Sequence, residues 1–163
     1  MSATTRRPRP GETHGVDYWF LSDEEFDERV RAGEFVEHAR YSGRRYGTLR
    51  SDLDKRLAAG RPVVLEIEVQ GARQVRAAMA GDPGEDAVLI FIAPPSRDAL
   101  RARLIGRGTD DPDQVERRLA TAERELEAQT EFTRVVVNDR LEDAVDELEA
   151  IVRGAIRGGR EAQ

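Results

Sequence analysis

Arginines crowd the start of the chain. Arg6, Arg7 and Arg9 stand beside the hydroxyls of Ser2, Thr4 and Thr5 in SATTRRPRPGE, and Pro8 and Pro10 stiffen the backbone between them. Guanidinium forks next to hydroxyls can grip a small phosphorylated ligand. An ordinary basic loop on an acidic protein accounts for the same composition, and the stretch alone does not separate the two. A second group lies in EHARYSGRRYGT: Tyr41 and Tyr46 can stack on or hydrogen-bond to a base, and Arg44 and Arg45 can balance anionic charge. Tyr46-Gly47-Thr48 brings together a phenol, a close backbone approach and a hydroxyl. Taken alone, the segment reads as a hairpin with Gly43 and Gly47 supplying turn geometry.

The third group is VVLEIEVQG, with Glu66 and Glu68 at period-two spacing on an apolar run. Both fall on one face near the carboxyl end of a strand, where open α/β sheets bind ligands. Buried acids are costly without a cation or hydrogen bonds, so an arginine partner or a metal-water shell is expected unless the strand end reaches solvent. Gln70-Gly71, opening a helix, adds amides suited to an anion. The fourth group is RLIGRGTDDPDQVERRL, in which Arg103, Arg107, Arg117 and Arg118 flank a Gly/Asp loop. Such a loop can bring arginines over polyphosphate charge in phosphoryl transfer. Pairing with acids one helical turn away explains one or two of them, less readily all four. His14 and His38 are isolated, and no G-x-S-x-G, H-E-x-x-H or C-x-x-C pattern occurs.

These residues need a scaffold, and its elements can be read from the pattern. LSDEEFDERVRAGEF predicts a short helix with Ser22 as N-cap, Glu25 closing a capping box and Gly33 as its stop. A hairpin-like segment and a helix from about Ser51 to Gly60 follow. PVVLEIEV, AVLIFIA and RVVVND predict three strands buried on both faces. GARQVRAAMAG, SRDALRARLIGRG, DPDQVERRLATAERELEAQTEF and LEDAVDELEAIVRGAI predict helices between and after them, Ser96 capping the second. In the long helix the apolar or small positions are Val115, Leu119, Ala122 and Leu126. Strand–helix alternation beyond residue 60 predicts an α/β fold with a parallel sheet and helices on its faces. Residues 12–50 break that rhythm and read as an inserted lobe within a single domain covering 1–163.

Size and charge bound the rest. The 163 residues suit one hydrophobic core. A net charge of −6 argues against a general nucleic-acid binder, as does the lack of a continuous basic stripe. Of 26 basic residues only Lys55 is a lysine, a bias that genomic base composition largely explains. Without cysteine there is no disulfide framework, thiolate metal site or cysteine nucleophile. No apolar run approaches the roughly 18–20 residues of a membrane span, and no apolar leader opens the sequence. No membrane partner and a cytoplasmic location are expected.

In order and spacing, SATTRRPRPGE…GVDYWF, GEFVEHARYSGRRYGT, LEIEVQGARQV, FIAPPS, RLIGRGTD, RRLATA and VVVNDRLEDAVDEL resemble the guanylate kinases from Ser2 to about Ile156. The resemblance implies a P-loop-NTPase-like parallel sheet, an inserted GMP-binding lobe at 12–50 and a lid around 106–113. It implies transfer of the ATP γ-phosphoryl group to GMP, giving GDP and ADP, with Mg2+. Ser2, Arg6, Arg9, Tyr18 and Tyr46 would hold the GMP phosphate, and Glu37 and Thr48 would read the guanine edge. Glu66 and Glu68 would lie near magnesium and phosphate, with no direct metal ligand assigned. Arg107 and Arg118, with Arg103, would neutralise the transferring group, and Asn138 would lie near adenine, Arg107 also facing ATP. A non-catalytic module binding GMP or a phosphopeptide, as in guanylate-kinase-like scaffold domains, is the alternative.

Two features depart from the family pattern. EIE stands where aspartates are more usual, and no G-x-x-x-x-G-K-[ST] phosphate loop occurs anywhere. The family places a strand, that loop and a helix, roughly 30 residues, ahead of the first matching motif. Met1 stands where a valine is common, and a valine GTG codon can serve as a bacterial start. The natural protein is therefore expected to be longer. The first strand would be central, so these residues alone should be poorly stable, with apolar edges exposed, and nearly inactive as a kinase.

Overall fold

The computed structural model describes residues 2–41, 43–79, 87–106 and 112–161. The chain divides into two compact units, 1–87 and 88–163.

The first unit is built on a four-stranded sheet ordered β2-β1-β4-β3. Its strands are β1 (Ser2–Thr4), β2 (Trp19–Phe20), β3 (Phe35–Tyr41) and β4 (Arg44–Leu49). The opening residues are therefore not a frayed end. β1 lies inside the sheet, parallel to β2 and antiparallel to β4, with Ala3 and Thr4 fully buried. The sheet thus takes in residues N-terminal to the 12–50 region. Two of the hydroxyls are spent on backbone: Thr4 Oγ1 donates to Arg45 O (2.9 Å), and Thr5 Oγ1 accepts from Arg45 N (3.2 Å).

Helix α1 (Asp23–Arg31) has the capping box read from its sequence, Ser22 and Glu25 each bonding the other's backbone N–H. It covers one face of the sheet through Phe26, which is fully buried and stacks on Phe35 at 4.5 Å, with Ala3 and Leu49 alongside. Removing a buried ring of this kind costs about 3–5 kcal/mol. Arg45 lies over the outer face of Phe26 and pairs with Asp27 at 2.6 Å, fixing α1 to β4. Helices α2 (Arg50–Ala58) and α3 (Val69–Met79) belong to a second cluster, Val36, Leu53 and Val75, with Leu57, Val63, Leu65 and Ile67 packed against it.

PVVLEIEV differs from expectation. Residues 61–68 form no strand ladder, and Val64 is 80% exposed. The apolar side chains at 63, 65 and 67 face the core, whereas Val64 and Glu66 turn outward. A strand buried on both faces needs hydrogen-bonded neighbours and cover on each side. Among the described residues this segment has cover on one side and no ladder partner.

In the second unit, β5 (Ile90–Ala93) and β6 (Arg134–Val137) pair in parallel, Ile90 opposite Arg134 through Ala93 opposite Val137. The crossover is helical: α4 (Arg97–Gly106), capped by Ser96 Oγ accepting from Ala99 N, then α5 (Pro112–Glu127) and a short 3-10 turn, Ala128–Glu131. Leu104, Val115 and Leu119 bury the seam between the two helices. Helix α6 (Leu141–Glu161) closes the chain. This β–α–β crossover is the α/β, parallel-sheet architecture expected of the region. The β6 strand is not buried on both faces, however: Val136 is 1% exposed but Val137 is 49%, and Ile92 on β5 is 55%. No helix among the described residues is long and apolar enough to cross a membrane.

Candidate functional site

Two constellations form in the first unit. One is the loop of residues 5–18, between β1 and β2. Arg6 reaches Glu12 through both forks, Nη2 to Oε1 at 2.8 Å and Nη1 to Oε2 at 2.9 Å, and Nη1 also donates to Arg7 O. Arg9 N donates to the same Glu12 Oε2 at 2.7 Å. The bidentate hydrogen bond from Arg6, followed by the Arg9 amide, pulls the Glu12 carboxyl down to about 2. In return Glu12 holds the Arg6 guanidinium still more firmly protonated. The Arg6 guanidinium carbon lies 5.3 Å from the Tyr18 ring centre and 5.7 Å from that of Phe20, within cation–π range. Tyr46 lies close enough to add to the electrostatic hold on Arg6. Arg6, Tyr18 and Tyr46 thus lie near one another, and Arg9 is anchored through its amide with its side chain exposed.

Glu12 was not foreseen. An acid six residues after its arginine has no periodic signature. Only its position after a turn, with Glu12 N bonding Arg9 O at 3.0 Å, brings it back to the fork. Nearby, Trp19 Nε1 donates to Asp52 Oδ2 at 2.9 Å, tying β2 to α2, and the His14 ring stands edge-on to the indole at 5.3 Å.

The other constellation lies on β3 and β4. Their register shifts by one, Phe35 opposite Leu49 but Glu37 opposite Thr48, so β3 carries an extra residue at Val36. Bulges re-aim side chains. Without it Glu37 would share the α1 face with Phe35; with it, Val36 and Glu37 both turn toward α3. Glu37 is 4% exposed, and its Oε1 accepts from Thr48 Oγ1 at 2.7 Å. Burial raises the Glu37 pKa, opposed by hydrogen bonds from the Thr48 hydroxyl and amide. Gly47, between Tyr46 and Thr48, is needed for close approach: a Cβ there would lie 2.8 Å from the Phe35 ring and 2.9 Å from Glu37 O. Thr48 lines a cleft of about 410 Å³ together with Ser2, Tyr18, Arg56, Glu66 and Ile67. Neither Glu37 nor an arginine of the 5–18 loop lines the cleft itself; Thr48, the partner of Glu37, and Tyr18, whose ring faces Arg6, connect it to the two groups.

Glu66 is exposed at the edge of this cleft and Glu68 is half-buried just before α3. No group of three or more acids and histidines able to hold a metal occurs among the described residues. In the second unit, Arg103 donates from Nη1 to Asn138 O (2.8 Å) and from Nη2 to Asp139 O (3.1 Å). Asn138 N in turn bonds Ala93 O at 2.8 Å. Arg103 and Asn138 are thereby brought together, with the arginine bracing the turn after β6. Arg118 is half-buried on α5. Surface pairing explains other charges on these helices, with Arg97–Glu123 at 2.7 Å and Arg101–Glu116 at 2.8 Å. Arg107 and most of the expected lid, residues 107–111, lie outside the described residues.

The guanylate kinase family model matches residues 1–155. The guanylate kinase of Streptomyces kasugaensis is 55% identical over 152 residues, covering 93% of this chain and 72% of that protein. That of Frankia casuarinae is 54% identical over 155 residues, covering 95% and 82%. That of Rubrobacter xylanophilus is 50% identical over 159 residues, covering 98% and 81%. The crystal structure of guanylate kinase from Anaplasma phagocytophilum superposes with a TM-score of 0.74 at 34% identity, over 94% of this chain and 73% of that one. With a matching family model over nearly all its length and relatives at half identity or better, the chain belongs to the guanylate kinase family.

Proposed function

We propose that the cleft of the first unit is the GMP site of an ATP:GMP phosphotransferase. The carrying observation is the buried Glu37–Thr48 pair beside the arginine-lined loop, in a chain of this family. A carboxylate accepts and does not donate, so Glu37 suits the guanine edge, which offers a ring N–H and an amino group side by side. The Thr48 hydroxyl holds one carboxylate oxygen in place for them. Adenine presents an acceptor at the ring position and would leave the acid unmatched in a buried setting, which is costly. Arg6 and Arg9, with Ser2, Tyr18 and Tyr46, take the GMP phosphate.

In the reaction a GMP phosphate oxygen forms the new bond to the ATP γ-phosphorus, the bond to the β-phosphate oxygen breaks, and ADP leaves. Arg107, Arg118 and Arg103 are proposed for the charge of the transferring group, and Asn138 for adenine. For Arg103 that role requires release from the two carbonyls it holds. Glu66 and Glu68 supply two carboxylates without a third nearby among the described residues, a set that would suit Mg2+ arriving on phosphates with its own waters. When bound, Mg2+ draws charge from the phosphate oxygens.

Catalysis should be the weaker half in these 163 residues. No stretch supplies the glycine-rich amides and lysine that cradle β- and γ-phosphates in P-loop enzymes. Calorimetric titration with GMP, AMP and a phosphopeptide tests the site. Saturable GMP binding, with AMP at least about tenfold weaker and turnover of ATP near background, is expected. Absence of GMP binding, or stronger binding of the phosphopeptide, would overturn the assignment and favour a non-catalytic module.

A further inference from the structure

β3 is the edge strand of its sheet, so the peptide groups facing away from β4 have no ladder partner there. At His38, the residue after Glu37, a side chain takes the place of a strand. His38 N donates to Gln74 Oε1 at 3.1 Å, and Gln74 Nε2 donates to His38 O at 2.8 Å. A carboxamide has the donor and acceptor of a peptide group in one plane, and here it pairs as one. The same Nε2 lies 3.3 Å from Gln70 O, which ties the amide to its own helix. Three positions earlier, on the same face of α3, Gly71 is buried against Glu37. A Cβ at Gly71 would stand 2.7 Å from Glu37 Oε2 and 3.2 Å from Ile67 Cβ. Glu37 is therefore held by the peptide after it, by the helix behind it and by the Thr48 hydroxyl beside it.

We propose that Gln74 is a positioning residue for guanine recognition: it locks β3 onto α3 at Glu37, while Gly71 leaves the room the carboxylate occupies. This rests on Glu37 being the acceptor for guanine. Guanine offers two donors to that acid, hypoxanthine only the ring N–H. A carboxylate turned from its seat keeps one hydrogen bond and loses the second. The ratio of GMP to IMP affinity therefore reports its orientation, and general loosening of the fold does not move that ratio.

Gln74→Leu keeps the approximate volume and removes both hydrogen bonds; Gly71→Ala intrudes on the carboxylate directly. Dissociation constants for GMP and IMP are measured by calorimetry on the 163-residue protein and on each variant, with thermal melting alongside. The GMP-to-IMP preference is expected to fall about 5- to 10-fold in both variants, the loss of one well-placed hydrogen bond, with IMP affinity nearly unchanged. A lowered melting temperature with an unchanged ratio would make Gln74 a purely structural clamp and overturn the proposal. If Gln74→Leu does not fold, Gly71→Ala decides by the same ratio. Wild-type protein that binds GMP and IMP equally overturns the reading of Glu37 itself, and this inference with it, before any variant is made.

Discussion

Glu12 and Glu37 are two shielded carboxylates of the same unit, and their acidities are driven in opposite directions. Glu12 receives a full positive charge in fork geometry and drops to about 2. Glu37 receives only a neutral hydroxyl and an amide, and burial raises its pKa. Shielding alone does not set the sign; the charge of the partner does. The loop region spends its acid on holding a cation in place, which on the proposed reading would meet an anionic ligand. The β3–β4 region holds a buried acid on a neutral hydroxyl and an amide, which on the proposed reading would accept from a base. On the proposed reading one region would serve phosphate and the other a base, and each could be broken without the other.

The largest effect should come from Glu37→Gln. The amide presents a donor where guanine also donates, so affinity for GMP and for guanosine should both fall on the order of 100-fold. Stability should hold or rise, because a buried ionised group is no longer required. Calorimetry with both ligands and a melting curve check this, and unchanged guanosine affinity would refute the division of labour. Next is Arg6→Ala, expected to weaken GMP about 10- to 30-fold through loss of charge-assisted hydrogen bonds, with guanosine unaffected. Part of that loss arises because Glu12 is left facing the phosphate unpaired. The double variant Arg6→Ala/Glu12→Gln should recover several-fold, and a double-mutant cycle measures the share.

The smallest effect is in pH. Guanosine, which has no phosphate to titrate, needs Glu37 ionised. Its affinity should decline as pH falls through the raised Glu37 value, beginning above the ordinary carboxylate range of about 4.3. Stability linked to Glu37 runs the other way, increasing as pH drops from its raised folded pKa toward its unfolded one. Stability linked to Glu12 is present above its unfolded value and is lost as pH falls toward about 2. Binding isotherms and melting curves over the acid range separate the two groups. Guanosine affinity that stays flat to the ordinary range would place the raised acid elsewhere.

Local chemistry was legible in the sequence. The Ser22–Glu25 box, the Ser96 cap and the buried positions Val115 and Leu119 follow from short-range pattern, and the structure contains them. The motif order was legible too, and it carried the family. What depends on a distant partner was not. An apolar run such as VVLEIEV has the same sequence whether or not a neighbouring ladder exists, so its expected strand did not form. The bulge at Val36 inserts one residue that no alternation marks, yet it decides which face Glu37 takes. Gln74 meets His38 across 36 positions, and Thr4 meets Arg45 across 41, so neither contact has a local signal.

The chain contains a single tryptophan, and the fold pins it: Trp19 has its indole N–H on Asp52 and the His14 ring packed nearly perpendicular to it. It directly follows Tyr18, whose ring faces Arg6. All indole fluorescence of these 163 residues therefore comes from one position next to the arginine-bearing loop. Emission spectroscopy needs no attached dye here, and each spectrum reports on a single environment.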